Sequence, residues 1–407
     1  MGVMSHATNP PGRYAVLAIL CLCVVLSMST WFSASAVLPQ LRQVWPLSSW
    51  QSAGLTISVQ LGFVAGALLA AITQLPDRLP ATRLIAAAAT GAASANLAIV
   101  ASDSILLVLA LRFLTGFFLA GVYPPALKFI STWFRHQRGL AMGAVIGAIT
   151  LGSALPHLVN AGLNMHWHAV IVATSAATLA GGLGVIALLR AGPFPFPRTH
   201  FVPADVGPAL TQRVVLLATL GYLAHMWELY AMWAWIMVFL QSKLAFLGHD
   251  PASAPFWTFA IIAAGAPACL LAGQWADRAG RTTVAGLMLL GSGLCAAAIG
   301  FTYHSPLWVT LLIGLLWGAT VVADSAQFSA MVTEGADPRF VGTALTAQMG
   351  LGFGLTTLSI WVIPFTAETL GWQYAFLILV PGPVVGVLAM LALRRCPESV
   401  KFAGGRR

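Results

Sequence analysis

Twelve apolar runs occupy most of the chain: about 14–37, 50–73, 84–101, 104–132, 139–162, 168–189, 213–240, 255–275, 284–302, 306–332, 341–365 and 373–393. A bilayer core about 30 Å thick takes about 20 helical residues to cross. Inside it every backbone N–H and C=O must be paired within the protein, which helices achieve segment by segment. With 59% hydrophobic and 8% charged residues in 407, the chain has too little polar surface to coat a water-soluble globule. The sequence predicts an all-α integral membrane protein of twelve transmembrane helices.

The net charge of +9 does not point to nucleic acid, because the basic residues stand singly in short loops rather than along one face. Their distribution sets topology instead. With the N-terminus inside, the outer loops carry only Arg42 and Lys243, Arg112 is intramembrane, and every other Lys and Arg falls on the inner side. The positive-inside rule then puts both termini in the cytoplasm, most simply in a bacterial inner membrane. Of the five cysteines, Cys21, Cys23, Cys269, Cys295 and Cys396, none lies in an outer loop, so no disulfide framework is implied. Arg13, the run after it and the small residues Ser33 to Ala36 mimic a signal peptide. The run is too long for that, and it reads as a retained first span.

The Pro- and Gly-rich stretch AGPFPFPRTHFVPADVGPALTQR, 191–213, cannot sustain a helix period. It divides a first half, 1–190, from a second, 213–393, leaving 191–212 as a cytoplasmic linker and 394–407 as a cytoplasmic tail. Asp77-Arg78 after helix 2 recurs as Asp277-Arg278 after helix 8. Gly139 opening helix 5 matches Gly342 in helix 11, and Trp167 before helix 6 matches Trp372 before helix 12. Repetition at a near-constant offset indicates a duplicated six-helix unit.

GQWADRAGRTT, 273–283, resembles the loop signature of the major facilitator superfamily, with Gly273, Asp277, Arg278, Gly280 and Arg281 in place. RFLTGFFLAG, 112–121, is similar to that family's arginine-containing fourth-helix motif. The resemblance covers the whole chain and implies two six-helix pseudo-repeats rocking about a midplane site. It also implies that helices 1, 4, 7 and 10 line a cavity while 3, 6, 9 and 12 face lipid. Gating is expected at Asp277, Arg278, Gly280 and Arg281 and at the first-half copy, Asp77 and Arg78. That copy departs from the pattern, with Pro80 and Ala81 where its twin has Gly280 and Arg281. Helix 5, GAVIGAITLGSALPH, lacks the Gly-Pro and Gly-Gly pattern of drug antiporters.

Charges at bilayer depth are costly and mark pathways. Three stand on the implied cavity helices: Arg112 in helix 4, Glu228 in helix 7 and Asp324 in helix 10. Helical spacing sets His225, Met232 and Trp235 beside Glu228, and Gln327 and Met331 beside Asp324. By depth, Glu228 and Arg112 lie near the middle or outer half and Asp324 in the inner half, away from both. Glu228 is the leading proton-coupling candidate. The competing reading for it is a carboxyl fixed by one hydrogen bond to lock packing, and for Arg112 a structural ion pair. Asp324, His225 and Gln327 complete the expected proton and substrate site, with Tyr123 in helix 4 beside it and Trp31 in helix 1 as either cavity wall or packing. His157, Asn160, Gln60 and Gln348 read as interhelical glue first and substrate contacts second.

No P-loop, HExxH, paired CxxC or nucleophile elbow occurs, so the chain reads as neither an enzyme nor an ATP-driven pump, with no cofactor and no metal site. The expected function is secondary transport of a small polar or anionic organic solute, proton-coupled as the resemblance implies, by a monomer in the lipid bilayer. Proton-linked efflux of amphipathic compounds is the alternative. A non-transporting sensor on the same scaffold would need a signalling segment that the short tail does not supply. Nitrate porters of the superfamily carry arginines in helices 2 and 8, absent here. Copper importers use Met and His at four-residue spacing, whereas Met226, Met232 and Met237 are six and five apart.

Overall fold

The computed structural model describes residues 10–135, 137–163, 166–194 and 201–406; part of the expected linker, 195–200, lies outside them. Eleven helices among these residues are long and apolar enough to cross a membrane, and a shorter apolar helix, Arg13–Ser27, precedes them. The twelve spans are Arg13–Ser27 continued by Ser33–Ala36, then Ser49–Ile72, Ala81–Ala101, Ile105–Ser131, Arg138–Gly162 and Trp167–Leu188. The second set is Arg213–Phe246, Pro251–Ala279, Arg281–Thr302, Leu307–Gly335, Val341–Leu370 and Trp372–Arg394. No strand occurs among the described residues. The two ends of the described chain lie on one face, called here the terminal face: the Tyr14 hydroxyl donates to Gln137 Oε1 at 2.8 Å, and Arg406 Nη1 to the Asp277 carbonyl at 2.6 Å.

Among the described residues, the first, fourth, eighth and tenth spans, which read as continuous in the sequence, are each broken. The fourth stops at Leu119 and resumes at Tyr123, because Pro124 and Pro125 lack the N–H that an unbroken helix needs and their rings crowd the preceding turn. The eighth breaks at Ala264, three residues before Pro267, for the same reason. The first unwinds over residues 28–32 and the tenth breaks at Asp324, with no proline within reach of either.

Glycines set the closest approaches, and they expose the duplication. A Cβ at Gly116 of the fourth span would collide with the Val59 carbonyl of the second; a Cβ at Gly318 of the tenth would collide with the Ile261 carbonyl of the eighth. Both partners are displaced by the same 202 residues, so one interhelical contact has been copied. The same offset carries the break at Val122 onto the break at Asp324. Between the halves, Gly143 and Gly147 of the fifth span face the Cys269 and Ala266 carbonyls of the eighth, 2.6 and 2.7 Å from an added Cβ. Small residues at four-residue spacing let these two backbones touch, as is usual for helix pairs in a membrane. Spans 6, 9 and 12 keep leucines such as Leu183, Leu294 and Leu388 exposed, a surface suited to lipid.

Candidate functional site

The halves meet around a central cavity of about 30 Å³, room for a water or two. Tyr123, Ile146, Ile149 and Thr150 contribute from the first half; Tyr222, His225, Met226, Tyr230, Trp233, Ser325 and Phe353 are among those from the second. Tyr123 is there because the proline break restarts its helix at that residue. Around the cavity Trp31, at the unwound part of span 1, lies 5.1 Å from Phe63 and 5.8 Å from both Tyr230 and Phe353, ring centre to ring centre. Phe63 and Phe353 are 4.3 Å apart. Aromatic rings from both halves thus close on each other, and the cavity is far smaller than the roughly 300 Å³ or more typical of a small-molecule pocket.

His225 stands on the cavity wall with Nδ1 2.8 Å from Asp324 Oδ1, both side chains buried. At this distance the contact is favourable once a proton sits on either group, and it is an ion pair only when the imidazole is protonated. It joins the unbroken seventh span to the break of the tenth. Asp324 is the residue between the two helical pieces, and its neighbour Ser325 faces the cavity.

Glu228, one turn beyond His225, points elsewhere. Trp317 Nε1 donates to its Oε1 at 2.6 Å and Ser292 Oγ to its Oε2 at 2.9 Å, so spans 7, 9 and 10 are tied behind the cavity wall. Glu228→Gln keeps one carbonyl oxygen for Trp317 and replaces the other acceptor with an NH2. We expect it to lower stability by about 1–2 kcal/mol in thermal melts and to leave proton coupling in place.

Arg112 meets neither acid. Nε donates to the Leu55 carbonyl at 3.2 Å, and Nη1 to the Thr30 carbonyl at 2.8 Å, to Asn96 Oδ1 at 3.1 Å and to Ser33 Oγ at 3.2 Å. Nη2 donates to the Trp31 carbonyl. The guanidinium therefore meets the Thr30 and Trp31 carbonyls in the unwound part of span 1 together with acceptors on spans 2 and 3 and Ser33, all within the first half. A helix broken at bilayer depth needs such a donor.

A second cluster lies at the terminal face. Arg281 holds Glu334 in a two-pronged bond, Nε to Oε2 at 2.8 Å and Nη2 to Oε1 at 2.6 Å, the strong geometry for this pair. Its Nη1 donates to Gln327 Oε1 at 3.1 Å, and Nη2 lies 3.6 Å from Asp277 Oδ1. Gly280, at φ 99°, makes the tight turn that brings Asp277 and Arg281 together; a side chain there would be strained. The Asp277 carboxylate crosses to the other half and sits on Gly139 in the first turn of span 5, 2.5 Å from where a Cβ would stand. A negative charge at a helix N-terminus is favourable. In the first half, Asp77 is paired instead with Lys128 of its own half, and the counterpart of Gly280 is Pro80, which caps span 3. Neither Arg78 nor Arg278 has a side-chain partner among the described residues.

The Major Facilitator Superfamily signature matches residues 20–355. The chain belongs to the major facilitator superfamily. No match was found among curated protein sequences. Among solved structures, the fold is similar to a bacterial homologue of the human lysosomal transporter Spinster, inward-facing and occupied, at 16% identity and a TM-score of 0.68, covering 95% of this chain and 98% of that one. It is also similar to the proton:xylose symporter XylE bound to 6-bromo-6-deoxy-D-glucose, at 13% identity and a TM-score of 0.71, covering 95% and 96%. A twelve-span superfamily member is a multi-pass membrane transporter rather than an enzyme.

For a superfamily member the sequence-derived residues fall into three places. His225, Tyr123 and the vicinity of Trp31 and Asp324 gather at the cavity, Arg112 and Glu228 stand behind its walls, and Gln327 joins the terminal-face cluster with Asp277, Gly280 and Arg281. Glu334, Ser292, Trp317 and Lys128 were missed. Glu334 had a signal, an acid one helix away from the motif arginine at the same end of the bundle. Ser292 and Trp317 had none, because nothing in a single sequence gives the rotation of one helix against another.

Proposed function

We propose that this transporter couples solute movement to protons by alternating access about the central cavity, with His225 and Asp324 as the coupling pair. The observation carrying this is the 2.8 Å His225–Asp324 contact on the wall of a nearly closed cavity. When that wall faces water, a net negative pair is tolerated. When the aromatic rings close over it, an uncompensated buried charge costs several kcal/mol, so closure favours the pair holding one proton, carried by the Asp324 carboxyl. A group whose proton occupancy differs between two conformations links the proton gradient to their equilibrium. In proteoliposomes with an internal pH dye, adding a transported solute should change the internal pH. Solute counterflow without any proton movement would reduce the protein to a facilitator.

The Asp277–Gly139 contact supports a gating role for the terminal-face cluster, since it ties span 8 to span 5 across the halves. Asp277→Asn should slow transport at least about tenfold, or about 1.4 kcal/mol, with ligand binding nearly intact. Unchanged initial rates would remove the role.

The reading is completed by orientation: a monomer in the bacterial inner membrane with the terminal face cytoplasmic. A membrane-impermeant thiol reagent applied from outside should modify Asp250→Cys and spare Asp205→Cys. The reverse pattern would invert the assignment.

A further inference from the structure

The cations buried in this protein are already engaged. Arg112 spends its donors on first-half acceptors. Lys243 gives its three to the Thr302, Tyr303 and Ser305 carbonyls at 2.6, 3.0 and 2.7 Å. Arg281 is held by Glu334 and Gln327. Among the described residues no lysine or arginine lines the central cavity, and the basic side chain that does, His225, faces Asp324. A carboxylate or phosphate entering there would lose its water shell with no free cation to replace it, a cost of several kcal/mol.

What the cavity does offer is complementary to the opposite charge. Tyr222, Tyr230 and Trp233 line it, aromatic rings of the kind that attract ammonium groups, and Asp324 lies 2.8 Å from His225 of the same wall. Around them lie buried donors with no bond: the indole N–H groups of Trp31 and Trp233 and the side-chain amides of Gln60 and Gln348. Gln348 is one turn from Gly352, where a Cβ would strike Tyr222, and Gln60 is one turn from Phe63. Such donors suit neutral hydroxyl or carbonyl oxygens.

We propose that the cavity takes small organic amines, an ammonium group on an apolar or aromatic body bearing a neutral hydrogen-bond acceptor, and rejects carboxylates of the same shape. This rests on the central cavity being the substrate site, and it narrows the polar or anionic class expected from the sequence.

The test uses matched probes on the purified protein in detergent at neutral pH: 2-phenylethylamine, 2-phenylethanol and phenylacetate, with their ring-hydroxylated and cyclohexyl counterparts. A ligand raises Tm by binding the folded state. We expect the amines to raise Tm most, the alcohols less and the carboxylates not at all, and Asp324→Asn to erase the difference between amine and alcohol. Carboxylates matching or exceeding the amines would overturn the proposal, and so would silence from every amine. The wild-type comparison decides alone if the variant does not fold. No proton gradient is present, so this inference can fail while proton coupling stands. Amines that bind but move without protons would sink the coupling and leave the inference intact.

Discussion

Asp324→Asn is expected to abolish proton-driven accumulation while exchange of labelled for unlabelled solute continues. One pH unit across the membrane is worth about 1.4 kcal/mol per proton, so a one-to-one coupled wild type should concentrate solute about tenfold per pH unit. The asparagine variant cannot alternate between two protonation states and should stop at equal concentrations. The substitution is close to isosteric and keeps an oxygen for His225, so the fold should tolerate it. Exchange needs only that the closed state be reachable with solute bound. A variant that still accumulates solute would move the coupling role to Glu228, the other acid on the cavity helices.

Arg112→Met should do most to the fold itself. The methionine fills similar space but leaves the Thr30, Trp31 and Leu55 carbonyls, Asn96 and Ser33 without their charged donor. Leaving buried acceptors unmet costs about 1–3 kcal/mol each, partly offset by no longer burying a charge. We expect a net loss of about 2–4 kcal/mol, read as a large fall in Tm and a smaller monodisperse fraction in detergent. Lysine, with three donors to the guanidinium's five, should recover part of it. A Met variant with normal Tm and no transport would instead make Arg112 a solute ligand.

The fold was legible because a bilayer demands long apolar helices, and residues that cross it cannot be disguised. The breaks were passed over, since each span reads as one apolar run; those of the fourth and eighth spans have a local cause in Pro124, Pro125 and Pro267, whereas at Asp324 no local residue type requires one. Arg112 and Glu228 were visible as charges in hydrocarbon, but their partners sit on other helices. Whether a buried charge faces a cavity or a neighbouring backbone depends on helix rotation, which sequence periodicity leaves open. Glu334 escaped for the opposite reason. At the end of a span a charge is inexpensive, so an argument from cost passes over it.

Which carboxyl takes the proton is read most directly by infrared difference spectroscopy, recorded as solute is added to the protein in lipid. The wild type should show the C=O stretch of a carboxyl changing its protonation. That band should vanish in Asp324→Asn and persist in Glu228→Gln. A band that survives in Asp324→Asn and is lost in Glu228→Gln would contradict the His225–Asp324 account.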